Sequence, residues 1–199
     1  WWPGGRTLFV ADAHFGKAVT FRRLGVPVPE ATTAGTLDAL DALLARHDAA
    51  RIVFLGDLLH SARGRAAATV SAVAAWRERH AGLDLTLVRG NHDSHAGDPP
   101  PAWEVRCIDG PLRVGELALA HHPEPLDGAY VLAGHVHPAA VVWGRHTRDS
   151  LRLPCFHFGA RVGVLPAFGA FTGMHPIRPG PGDRVFVVAP DSVRPLPGR

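Results

Sequence analysis

Five short apolar runs punctuate this chain, and each stops at polar residues of a metal-binding type. Residues 7–11 run into Asp12-Ala13-His14, and residues 51–55 into Gly56-Asp57-Leu58-Leu59-His60. Residues 84–89 run into Gly90-Asn91-His92-Asp93, residues 116–120 into His121-His122, and residues 129–133 into Gly134-His135-Val136-His137. Short apolar runs bounded by turn residues read as buried strands. Between them lie two helical patterns. Residues 32–47 carry Leu37, Leu40, Leu43 and Leu44 on one face, with Thr32 or Thr33 as a cap. Residues 66–80 carry Val70, Val73 and Ala74 as a buried stripe. The first half therefore alternates strand and helix, which implies parallel strands with crossover helices.

The pattern changes from about residue 103. Leu112-Arg113-Val114, Val141-Val142-Trp143, Cys155-Phe156-His157-Phe158 and Val185-Phe186-Val187-Val188 are short runs broken by Gly and Pro. They read as a second sheet, giving an α/β (α+β) sandwich of two sheets with helices outside. No composition shift marks a boundary, so residues 1–199 are taken as one domain, with surface loops at 96–101 and 173–183. In open α/β sheets ligands bind beyond the carboxyl ends of the strands. Five strands that shed Asp, Asn and His at one edge would build a single polar cluster.

Composition adds limits. With 199 residues, 46% hydrophobic and 20% charged, the chain suits an ordinary globular domain. No apolar stretch approaches the ~18 residues of a membrane span, and no signal-peptide pattern is visible. Two cysteines, Cys107 and Cys155, make no disulfide framework; buried reduced thiols fit a cytoplasmic protein. The net charge is +3, and Lys17 is the sole lysine, so the basic side is nearly all arginine, a good binder of phosphate.

The ordered set Asp-x-His, Gly-Asp, Gly-Asn-His-Asp, His, Gly-His-x-His resembles the calcineurin-like metallophosphoesterase superfamily. The resemblance implies its four-layer sandwich of two mixed β-sheets flanked by helices. It also implies two divalent cations, and two-metal hydrolysis clamps the attacking and leaving oxygens of a phosphoryl transfer. On the matching positions Asp57 bridges the ions. Asp12, His14 and His137 hold one, and Asn91, His121 and His135 hold the other. A bridging hydroxide would be the nucleophile. Imidazole and carboxylate ligands suit Mn, Fe or Zn, and the resemblance favours Mn. His92 matches the superfamily's general acid, oriented by Asp93; an imidazole suits proton transfer near neutral pH. His122 abuts His121, and the motif favours His121 as the ligand. His60 and His95 lie near the motifs and are candidates for lining the substrate site. His47, His80, His146, His157 and His175 get an ordinary structural reading.

Within the superfamily, the chain is similar to the small ligase-associated DNA damage response endonucleases. The stretches that carry this are residues 11–17 (Ala-Asp-Ala-His-Phe-Gly-Lys), 21–29 (Phe-Arg-Arg-Leu-Gly-Val-Pro-Val-Pro), 90–97 (Gly-Asn-His-Asp-Ser-His-Ala-Gly) and 165–173 (Leu-Pro-Ala-Phe-Gly-Ala-Phe-Thr-Gly). Most members of the family have Leu in place of Ala13 and often Glu in place of His122; neither change removes an assigned ligand. The resemblance implies a phosphodiesterase acting on DNA, single-stranded or damaged, in the company of DNA ligase and nuclease repair proteins. Lys17, Arg22, Arg23, Arg63 and Arg65 follow the first two motifs and would rim the site as phosphate contacts. The alternative is a phosphoesterase for a small nucleotide or cyclic nucleotide. An open basic groove favours DNA; a lidded pocket favours the small substrate.

Overall fold

In a computed structural model, residues 1–28, 32–144 and 149–197 are described, without the side chains of Arg23 and Arg63. Pro29 and His146 lie outside the described residues. The first half consists of β1 (Thr7–Val10), α1 (Lys17–Arg23), α2 (Thr32–Arg46), β2 (Arg51–Leu55), α3 (Ala67–Arg79), β3 (Asp84–Val88), α4 (Asn91–Ala96) and β4 (Val105–Ile108). The second half is all strand: β5 (Leu112–Val114), β6 (Leu117–Leu119), β7 (Tyr130–Ala133), β8 (Pro138–Trp143), β9 (Ser150–Phe158), β10 (Val162–Val164), β11 (His175–Pro176), β12 (Arg184–Ala189) and β13 (Ser192–Leu196).

The expected two-sheet α/β sandwich with helices is present. The first sheet has the order β1-β2-β3-β4, and every pair in it is parallel. It is therefore not mixed, because each strand returns through a helix or a long loop to the same edge. The second sheet is mixed. β6 pairs parallel to β7, and β7 to β10, while β9 runs antiparallel to β8, β10 and β12. Among the described residues no α-helix follows β4, so the outer face of the second sheet carries no helical layer. That face is closed by small residues, Ala118, Val131 and Ala133, packed with Leu126 and Val162. The 173–183 loop also contains β11, which pairs with β8.

Strand alternation builds the core. Leu8, Val10, Ile52, Phe54, Leu85 and Leu87 point to the helices and meet Leu37, Leu40, Val73 and Trp76. Their neighbours Phe9, Val53, Leu55 and Val88 point the other way, onto Leu117, Leu119 and Leu132 of the second sheet. Both faces of the first sheet are thus buried, which is why its strands read as continuous apolar runs. Cys155 is buried and Cys107 half-buried, both as free thiols; burial pushes Cys155 up to about 11.

Trp76, which the stripe Val70-Val73-Ala74 did not reveal, is the largest anchor of α3. Its indole N–H donates to Asp41 on α2 at 2.6 Å, and His80 and Arg79 face the same carboxylate at 2.7 and 3.3 Å. Asp41→Ala leaves a buried indole N–H unpaired, so an expected loss of about 1–3 kcal/mol should appear in urea unfolding. Burial pushes the Asp41 carboxyl up, but His80, Trp76 and Arg79 outweigh it and hold it below its ordinary value. A depressed carboxylate contributes stability at neutral pH that is lost as pH falls through its lowered folded value. The wild-type and variant curves should therefore converge in acid. A gap below ~0.5 kcal/mol at neutral pH would make this contact incidental.

Candidate metal centre

All seven ligand candidates meet at one edge, where the carboxyl ends of β1, β2, β3, β6 and β7 converge. Asp12, His14, Asp57 and His121 are buried, while Asn91 and His135 are exposed. His14 Nε2 lies 3.4 Å from His137 Nε2 and 3.8 Å from Asp57 Oδ2. His137 Nε2 lies 3.6 Å from Asp12 Oδ1. On the other side His121 Nε2 lies 2.8 Å from Asn91 Oδ1, 3.1 Å from His135 Nδ1 and 3.5 Å from Asp57 Oδ1. Asp57 thus turns one oxygen to each group, as a bridging carboxylate would.

Local backbone geometry explains how the chain delivers these side chains. Asp12, His14, Asp57, His135 and His137 all have positive φ, between 46° and 69°. Non-glycine residues adopt this region at a cost and cluster there at functional sites. Each strand must turn sharply as it leaves the sheet to aim its ligand inward. Three glycines each precede a ligand: a Cβ on Gly56 would strike the His121 ring, on Gly90 the Asp57 carboxylate, and on Gly134 the Asp12 carboxylate. Close packing of the ligands fixes these glycines.

The donor set fits cations. The Leu55 carbonyl can only accept, so His121 Nδ1, 3.1 Å away, carries the proton and Nε2 presents a lone pair. That lone pair faces the lone pairs of Asn91 Oδ1 and Asp57 Oδ1. A cation between them would make the arrangement favourable. Buried His14 Nδ1 has no hydrogen-bond partner among the described residues. Ligand atoms of Asp12, His14 and His137 lie within 4.8 Å of one another, as do those of Asp12, Asp57 and His121. Burial, with help from Lys17 and neighbouring imidazoles, pushes His14 down to about 2, and burial also lowers His121 and His135. These imidazoles are therefore neutral at pH 7, the form that binds metal.

Two supporting contacts hold the ligands. Asp12 accepts the backbone N–H of His135 at 2.9 Å, tying the second sheet to the first. Asp57 Oδ1 accepts the N–H of His92 at 2.9 Å.

His92 stands beside the cluster with its Nε2 3.9 Å from Asp57 Oδ2 and its side chain 39% exposed. The expectation that Asp93 orients it is corrected. The group at His92 Nδ1 is the backbone carbonyl of His60, 2.8 Å away. The Asp93 carboxylate instead accepts backbone N–H groups of Asp57, Gly90, Leu58 and Leu59 at 2.7–3.3 Å. It fixes the loop that carries Asp57 and caps its own helix. Burial pushes the Asp93 carboxyl up, and the amides oppose this.

His60 does join the site. Its ring stacks on His92 at 5.1 Å and meets His14 edge-on at 5.4 Å, and burial lowers it to about 4. Phe21, which opens the 21–29 stretch but was given no role at the site, stacks on His60 at 6.1 Å. His122 is exposed, its ring 4.4 Å from His135; His121 takes the buried position between Leu55 and Asn91. His95 is exposed on α4 with Nδ1 on the Asn91 carbonyl. His80 and His157 pair with Asp41 and Asp183, in keeping with their structural reading.

The basic rim is only partly assembled. Lys17 is partly buried within electrostatic range of Asp12 and Asp57. Arg65 donates to the carbonyls of Ala96 and Asp98 at 3.0 and 2.7 Å, and Arg22 to that of Val28 at 3.2 Å. Those bonds hold loops together. The side chains of Arg23 and Arg63 lie outside the described residues.

A family model for calcineurin-like phosphoesterases matches residues 5–123, which include Asp12, His14, Asp57, Asn91, His92 and His121. The chain belongs to the calcineurin-like phosphoesterase family. The crystal structure of nuclease MPE from Pseudomonas putida is similar to this phosphoesterase at 44% identity and a TM-score of 0.86, covering 98% of this chain and 90% of that one. Yfce, a phosphoesterase from E. coli, matches at 16% identity and a TM-score of 0.40 over 93% of this chain and 88% of its own. No curated protein matches the sequence significantly. The phosphoesterase is a metal-dependent hydrolase of the two-sheet type, and none of its described helices is long and apolar enough to cross a membrane.

Proposed function

We propose that the protein is a two-metal phosphodiesterase that cuts DNA internally, as a cytoplasmic repair endonuclease working alongside DNA ligase and nuclease. The observation that carries this is the openness of the catalytic edge. Asn91, His135 and His122 are exposed and His92 is partly so. A polymer strand can lie across such an edge, whereas a small nucleotide is usually enclosed by its pocket. The 44% identical nuclease supports the same reading.

Asp12, His14 and His137 would hold one cation and Asn91, His121 and His135 the other, with Asp57 between; manganese fits the oxygen and imidazole set. When bound, the cations supply Lewis-acid stabilisation of the phosphoryl charge and an activated water. The protein's own contribution centres on His92. The His60 carbonyl accepts the hydrogen bond from its Nδ1–H, so in the doubly protonated ring Nε2 would carry the second proton and deliver it to the departing oxygen, leaving the neutral Nδ1–H imidazole. Lys17 adds positive charge beside the phosphate.

The test is a substrate panel with the manganese-loaded protein: single-stranded DNA, nicked duplex, a cyclic nucleotide and a phosphomonoester. DNA cleavage is expected, with log affinity falling against log salt by about 0.7 per phosphate contact on single strands. Turnover of the cyclic nucleotide or monoester with no cut DNA would favour the small-substrate reading.

A further inference from the structure

One conspicuous stretch of sequence, residues 165–173, plays no part in holding metal, yet it is built into the metal centre. The Phe168 N–H donates to the Ala11 carbonyl at 2.8 Å and the Gly169 N–H to the Asp12 carbonyl at 3.1 Å. A Cβ on Gly169 would collide with the Ala13 backbone, so this strap lies tight against the first motif. At its far end the His175 N–H donates to the carbonyl of His137 at 3.0 Å. Ala170 lines a small cleft with His14 and Lys17. The strap is therefore pinned to three ligand-bearing residues or their neighbours, on both sheets.

Between the pins, Phe171 does the opposite of what an aromatic side chain ordinarily does. It is 56% exposed and has a φ of +58°, and Met174, three residues on, is also exposed. Positive φ is unfavourable for a bulky residue and persists only where the surroundings enforce it. An exposed ring gains little from burial that would offset that cost. Phe171 is two residues from the Gly169–Asp12 bond, at most ~8 Å along the chain. A solvent-exposed aromatic on a strap whose backbone is bonded to Ala11 and Asp12 has the form of a base-stacking platform. Such stacking tolerates any sequence, because every base has a π-face.

We propose that Phe171 stacks on a nucleobase of the substrate strand and so positions the adjoining phosphodiester at the metals. The inference rests on the DNA reading and deepens it: it names a single-stranded or locally unstacked substrate, since a base inside a duplex offers no free face. Phe171 carries no metal-ligating atom and would serve as a binding residue only.

The test compares two oligonucleotides of equal length, one with normal bases and one built of abasic sugar-phosphate units. Both are assayed with manganese-loaded wild type, Phe171→Gly and Phe171→Trp. Phe171→Gly should raise KM for the normal strand about 5- to 100-fold, the worth of one base stack, with kcat nearly unchanged. KM for the abasic strand should not move, so the variant loses wild type's preference for bases. Phe171→Trp should restore that preference. Glycine also relieves the positive φ, so the thermal midpoint should hold or rise while DNA binding falls. A merely structural role would lower both together. Equal KM effects on the two strands, or none on either, would overturn the platform and leave the DNA reading intact. Failure of wild type to cut or bind either strand would overturn both.

Discussion

Asp57→Asn is expected to abolish phosphodiester hydrolysis, with a loss of ~10³-fold or more, because both cations lose their shared charge and with it several kcal/mol of transition-state stabilisation. The same substitution should make the metal-free fold more stable. Asp57 is buried and near Asp12, and burial pushes its carboxyl above its ordinary value. A group raised in the folded state favours folding fully below its unfolded value and ceases to do so as pH climbs through the folded one. At neutral pH, then, ionised Asp57 is a cost that the cations must offset. Added manganese should raise the wild-type thermal midpoint strongly and chelator should lower it, since binding to the folded state alone stabilises by mass action. In Asp57→Asn both shifts should shrink. A variant that keeps the full manganese shift would show that Asp57 is not shared between the ions.

His92→Ala is expected to keep the metal-induced stabilisation while slowing turnover by ~10²–10⁴, the usual span for a missing general acid. Its Nε2 stands at the cluster edge, but its ring accepts no buried ligand's hydrogen bond, so the metal sites should survive. The loss should be large for an alkoxide leaving group, as in DNA, and small for a nitrophenolate, which departs without a proton. Equal losses on both would mean that His92 stabilises phosphoryl charge and donates no proton. Asp93→Asn offers a contrast. Because Asp93 holds the Asp57 loop and not the His92 ring, its loss should weaken metal binding before it alters leaving-group dependence.

Much of this site was legible because parallel strands enforce it. Once residues 7–11, 51–55 and 84–89 read as strands joined by helices, Asp12, Asp57 and Asn91 had to emerge at one edge. The second sheet obeyed the same logic at His121 and His135, since β6 and β7 are also parallel. What stayed hidden depends on backbone atoms and on angles. The carbonyls of His60 and Leu55 orient His92 and His121, and a carbonyl has no signature in sequence. The positive φ of Asp12, His14, Asp57, His135 and His137 likewise arises from tertiary constraint. Trp76 was missed because its anchoring depends on Asp41, 35 residues away. Arg65 followed its motif as a rim residue would, but the chain turned its guanidinium onto the carbonyls of Ala96 and Asp98. Charge near a motif predicts proximity and says nothing of which partner captures the donor. The outer face of the second sheet, closed by Ala118, Val131 and Ala133 with no α-helix after β4 among the described residues, was not legible because the motifs mark the site and not that face.

The most direct test of a two-ion centre bridged by Asp57 is a crystal structure of the manganese-loaded protein with anomalous scattering measured at the metal edge. Two peaks per chain are predicted, one among Asp12, His14 and His137 and one among Asn91, His121 and His135, each with an oxygen of Asp57 as a ligand. A single peak, or a second ion held by His14, His60 and His92 without Asp57, would contradict it.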